Sequence, residues 1–117
     1  PKYPLGGLSQ VAGYLHSKKD QPSVYVDTGD TFFPSPSYPK VVETSLKFTA
    51  KALAKSFAEL KLKFIVPGDQ DLAAGIEFLK EITAENKISI VLSNSKLNFK
   101  PFEVITYGKT DFYFIGT

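Results

Sequence analysis

The sequence predicts an α/β fold, a layered and mostly parallel sheet flanked by helices and closed by a C-terminal β-hairpin. Three observations carry this. Short β-branched runs at Ser23–Val26, Phe64–Val66 and Ile88–Leu92 are separated by stretches of helical periodicity. Strands alternating with amphipathic helices imply right-handed crossovers and parallel pairing. Two further β-rich runs, Phe102–Tyr107 and Asp111–Ile115, are joined by Gly108-Lys109-Thr110, a hairpin signal. The 117 residues match the length of one domain, 1–117, complete or partial.

Each element follows from its pattern. Leu8, Val11, Ala12 and Leu15 recur at spacings of three and four, one apolar stripe of a first helix. Lys18-Lys19-Asp20-Gln21-Pro22 ends it. The run Val24-Tyr25-Val26 lies between Pro22 and Thr28-Gly29 and reads as a buried strand. Pro34, Pro36 and Pro39 exclude a helix interior and predict an exposed loop from Phe33 to Pro39. From Lys40 the helical period returns, with Val42, Leu46, Ala50, Leu53, Phe57 and Leu60 inward. Lys40, Glu43, Lys47, Lys51, Lys55 and Glu59 form its solvated face. A third helix carries Leu72, Ile76, Leu79 and Ile82 inward, with Asp71 as its expected N-cap. The chain opens on a helix, so the strand that would complete the alternation has no counterpart before Gly6-Gly7.

Composition excludes several classes of function. Hydrophobic residues make up 43% and aromatics 14%, enough to bury a core. No apolar run approaches the ~20 residues that span a bilayer. Pro1-Lys2-Tyr3-Pro4 lacks the apolar stretch of a secretory leader. Cysteine is absent, which removes disulfides, thiolate metal sites and cysteine nucleophiles. All 14 basic residues are lysine, so no guanidinium can clamp phosphate or guanine in bidentate fashion. A net charge of +2 is too small to point to nucleic acid. His16 is the single histidine, and its place on the first helix reads as a surface position.

In open α/β sheets, ligands bind beyond the carboxyl ends of the strands. The first strand ends in Asp27-Thr28-Gly29-Asp30, the second in Pro67-Gly68-Asp69-Gln70-Asp71, the third in Ser93-Asn94-Ser95. Clustered carboxylates repel unless a cation or proton intervenes, and oxygen ligands suit Mg²⁺, Mn²⁺ or Ca²⁺. The same residues are also good turn and helix-cap chemistry. Tyr25, Phe32, Phe33 and Tyr38 stand near enough in sequence to stack a ligand base, though packing is their commoner use.

Gly6-Gly7-Leu8-Ser9 and Val24-Tyr25-Val26-Asp27-Thr28-Gly29-Asp30-Thr31-Phe32 resemble the calcineurin-like metallophosphoesterases, closest to their 5'-nucleotidase branch. Phe64 to Asp71 falls where that family has "GNHEFD", Ser93-Asn94 where it has "SAN", and Gly108 to Thr117 where it has its "GxKVGFIGLTT" strand. The resemblance implies a metal-dependent phosphoric ester hydrolase with two divalent ions (Zn, Mn, Mg or Ca) and a nucleotide or other phosphoester as substrate. By that match Asp30 is the bridging metal ligand, Asp69 takes the place of the asparagine ligand, and Asp27 is a further candidate ligand. Gln70 takes the place of the catalytic histidine, and Asn94 is a candidate for substrate binding. The branch is commonly exported, which implies a periplasmic or secreted location.

The departures are equally specific. The family's opening "DxH" and its later histidine motifs have no match within residues 1–117. Gln70 hydrogen-bonds but does not titrate, so general acid work is lost there. The expectation is therefore a hydrolase-type domain with an incomplete, degenerate site. The alternative is a non-catalytic scaffold for ligand binding or protein assembly. A receiver-like signalling domain is a third reading, but it would want its acidic pocket and lysine on a different strand order. Substrate, metal and oligomeric state stay open at this point.

Overall fold

The computed structural model describes residues 6–117. The opening Pro1-Lys2-Tyr3-Pro4 lies outside the described residues. The first helix, α1, covers Leu8–Ser17 as its stripe requires, with Gly7 at its N-cap at φ 99°. None of its residues is fully buried, and only the Leu8 end packs on the core. Strand β1 is Tyr25–Asp27. A 3-10 turn at Lys40–Val42 leads into α2, Glu43–Glu59. Strand β2 is Leu62–Ile65, α3 is Ile76–Glu85 and β3 is Ser89–Ile90. The hairpin consists of β4, Phe102–Tyr107, and β5, Thr110–Ile115.

The three short strands pair in parallel in the order β1-β2-β3. Asp27 lies opposite Ile65, and Ile65 opposite Ile90, so all three strands end at one edge. The hairpin is a separate antiparallel pair. Leu92 N–H donates to Lys100 O and Ser93 N–H to Gly116 O, which ties it to the β3 exit.

Alternation along β2 decides which layer goes where. Ile65 turns to the helix side, into a core of Ala50, Ala54 and Phe57 from α2 and Leu79 and Ile82 from α3. Phe64 turns the other way and meets Phe114 of the hairpin, ring centroids 5.3 Å apart. The result is a helix layer, a parallel sheet and a hairpin beneath it. No helix among the described residues is long and apolar enough to cross a membrane.

Four expectations need correction. Helix α3 starts at Ile76, not near Leu72, and Gly75 stands at its N-cap. Asp71 caps nothing there; it sits in a 3-10 turn, Gln70–Leu72, fully buried. Val42 is 38% exposed rather than on the inner stripe, because the 3-10 turn winds about 120° per residue and throws it out of phase. The proline-rich loop is not wholly exposed either. Phe33 is buried, stacked on Tyr38 at 5.7 Å and set edge-on to Phe78. The prolines bend the segment so that these two aromatics close on each other.

Candidate functional site

Asp71 organises the sheet edge. Its Oδ2 accepts from the backbone N–H of Asp30 at 2.7 Å and of Gly68 at 3.0 Å. Its Oδ1 accepts from Thr31 N–H and Phe32 N–H, both at 2.9 Å. One buried carboxylate therefore holds four amides, three on the loop after β1 and one on its own loop after β2. A carboxylate so donated to is stable without a cation, since hydrogen bonds to the charged form offset its desolvation.

Two glycines let the loops approach. Gly29 has φ 96°, and a Cβ there would overlap Val66 O and Gly68 N. A Cβ on Gly68 would overlap the Asp30 carboxylate. Gly29 thus lies backbone against backbone and Gly68 backbone against carboxylate, approaches that only residues without a side chain permit.

The sequence-identified residues then fall as follows. Asp27 is half-buried; its Oδ1 accepts from Gly29 N–H and from Thr31 Oγ1–H, both at 2.8 Å, as an Asx turn does. Asp30 is exposed with φ 58°, and its Oδ1 accepts from Gln70 N–H at 3.1 Å across 40 residues. Asp69 is exposed on the same loop as Gln70, which is half-buried. Asn94 is exposed beyond β3, where its neighbour Ser93 bonds to Gly116 O through Oγ at 2.7 Å. The structure thus brings the Asp27, Asp30 and Gln70 loops into contact, while Asn94 makes no hydrogen bond to them.

His16 is exposed and lies elsewhere. It lines a cavity of about 520 Å³ with Leu15, Lys19, Tyr25 and Lys61, at the entry ends of β1 and β2. That is the opposite end of the strands from the carboxylates. Burial, and next the charge of Asp27, raise the Tyr25 phenol above its ordinary range. The other aromatics weighed as base-stacking groups are core: Phe32 packs edge-on to Phe57 at 6.1 Å.

The fit of divalent ions rests on which oxygens stay open. Oδ2 of Asp27, Oδ2 of Asp30 and both oxygens of Asp69 accept no hydrogen bond among the described residues. They suit part of the shell of a hard cation. Among the described residues, however, no three His, Cys, Asp or Glu side chains are grouped to hold one ion. Among the described residues the edge thus carries open carboxylate oxygens without a grouped set of ligands.

Reading the sequence alone missed the part played by Asp71. The signal was present, a second acid three residues after Gly68, but it matched a helix cap equally well. No protein-family model matches the chain, and no curated protein matches it.

Proposed function

We propose that this chain is part of a metal-dependent phosphoric ester hydrolase of the metallophosphoesterase type, 5'-nucleotidase-like, with a site incomplete within residues 1–117. One observation supports the reading best. The loops after β1 and β2 are laid against each other so that the Asp30 carboxylate accepts from the backbone N–H of Gln70 at 3.1 Å. Candidate ligand and candidate histidine position thus stand side by side.

Asp30 and Asp69 would hold the metal, with Asp27 behind them, oriented by Gly29 N–H and Thr31 Oγ1–H. Divalent ions, when bound, polarise a phosphoryl oxygen and lower the pKa of water. Gln70 can donate a hydrogen bond to a phosphate or leaving-group oxygen but carries no proton to it. A nucleotide or other phosphoester is the substrate class, and a periplasmic or secreted location goes with this reading.

Calorimetric titration of the chain with Mn²⁺ or Zn²⁺ tests it. Binding that weakens at least tenfold in both Asp30→Asn and Asp69→Asn supports a metal edge. No binding, or binding that neither variant changes, removes it.

A specific observation favours a second reading, a non-catalytic scaffold. Asp71 gives both oxygens to backbone amides, and Asp27 gives one to its own turn. Acidic chemistry at this edge already serves to lock two loops. Failure of the metal titration moves this reading ahead.

A further inference from the structure

We infer that Asp71 is a positioning residue for the candidate metal edge. It shapes the backbone beneath Asp30 and Asp69, so that the cation affinity of those two carboxylates depends on a side chain that touches no cation. The inference rests on the metal reading proposed above. Asp71 itself is fully buried. A carboxylate offers about four lone-pair sites. Here Oδ2 accepts from Asp30 N–H and Gly68 N–H, and Oδ1 from Thr31 N–H and Phe32 N–H. All of its accepting capacity is taken, so whatever Asp71 does at the edge it does through the groups it holds.

Those groups lie directly under the candidate ligands. Asp30, Thr31 and Phe32 are consecutive, and their N–H groups converge on one carboxylate, the concave amide arrangement that binds anions. Asp30 stands there at φ 58°. A residue with a Cβ is disfavoured in this region and stays in it where surrounding contacts hold it. At Asp30 the holding contact is the 2.7 Å bond to Asp71. The same turn brings the Asp30 side chain to the second loop, where Oδ1 accepts from Gln70 N–H at 3.1 Å. The fourth amide belongs to Gly68, the residue before Asp69. One carboxylate thus fixes the backbone of one candidate ligand and the neighbour of the other.

Ligands held in place beforehand bind an ion more tightly than ligands that must be gathered. Loss of a side chain that orients them lowers metal affinity about 10–100-fold. A purely architectural Asp71 predicts something else. Its replacement would loosen the fold as any core change does, and molecules still folded would take up a cation as before.

The experiment titrates Mn²⁺ into the unaltered chain, Asp71→Asn and Ile82→Ala. Calorimetry reads affinity, and paramagnetic broadening of the Asp30, Asp69 and Gln70 amide signals reads the place of binding. Circular dichroism sets a temperature at which all three are folded. Ile82 is buried near the far end of α3, so Ile82→Ala weakens the core without touching the loops. The expected result is an affinity lowered at least tenfold in Asp71→Asn and changed less than about twofold in Ile82→Ala. Unchanged affinity in Asp71→Asn overturns the inference and leaves the metal edge standing. Equal loss in both variants also overturns it, since loosening of the fold then suffices. An unaltered chain that binds no Mn²⁺ overturns the inference and the metal reading together. Should Asp71→Asn fail to fold, hydrogen exchange of the unaltered chain decides, because coupling is reciprocal. Saturating Zn²⁺ is then expected to slow the Asp30, Thr31, Phe32 and Gly68 amides at least tenfold more than the sheet amides of Val66 and Val91. Uniform slowing, or none, overturns the inference.

Discussion

The amide of Asp30 donates to the carboxylate of Asp71 at 2.7 Å, across 41 positions of chain. This bond and its three companions make two loops into one body. Replacing the carboxylate by an amide of the same shape puts an NH₂ donor against backbone donors. Asp71→Asn should therefore cost on the order of 3 kcal/mol, the range for hydrogen bonds to a buried charge. Urea unfolding checks it, and a cost below about 1 kcal/mol would show that the loops hold without the clasp.

The glycines should separate by sign. Gly29→Ala must place a Cβ onto Val66 O at φ 96°, and is expected to destabilise by roughly 2 kcal/mol or more. Gly13 lies inside α1 with nothing near a built Cβ, so Gly13→Ala should stabilise by about 0.5–1 kcal/mol. Paired thermal melts read both. Equal effects would mean that the Gly29 contact is readily relieved.

Tyr25 predicts an alkaline signature. Its folded-state pKa is raised by burial, so between the unfolded and folded values the native state binds more protons. Stability from this group is intact below about pH 10 and falls as pH rises through the folded value. Tyr25→Phe should flatten that fall relative to the parent while leaving the curve near neutrality parallel. Unfolding midpoints from pH 7 to 11 make the comparison, and identical alkaline slopes would clear Tyr25 of any part.

Catalysis offers a direct trial. On the proposed function, the purified chain is expected to hydrolyse neither nucleotides nor nitrophenyl phosphate appreciably, because the family's remaining ligand motifs have no match within residues 1–117. Turnover abolished by chelator and by Asp30→Ala would contradict this. Asp69→Asn with Gln70→His removes one negative charge near Asp30 and supplies a titrating group. Proton transfer from a positioned side chain is worth about 10²–10⁴-fold. In a protein with a complete ligand set the double change should raise metal-dependent hydrolysis, and an unchanged rate would mark Gln70 as a structural position.

Much of the architecture was legible because periodicity reports burial. The stripe Leu46, Ala50, Leu53 and Phe57 places α2, and the β-branched runs place three strands whose ends share an edge. What stayed hidden depends on contacts distant in sequence. Asp71 reads as a local helix cap until β1 and β2 are paired; only then do four amides surround it. Phe33 reads as loop because prolines follow it, and its burial depends on Tyr38 folding back within the same segment and on Phe78 closing from α3. The open oxygens of Asp30 and Asp69 were visible as residues but not as a ligand set, since ligation is a matter of convergence.

The Asp71 clasp also has a kinetic side. Its bonds to Asp30, Thr31 and Phe32 join segments about 40 residues apart, and they need β1 and β2 to be docked first. The β4–β5 hairpin and the helices, by contrast, close over short stretches of chain. Contacts that require long-loop closure tend to form late. The clasp should then be absent from the folding transition state, so that Asp71→Asn accelerates unfolding and barely slows refolding. In the native protein such an arrangement acts as a latch on lifetime: it governs how long the two loops stay together once formed, not how quickly they find each other.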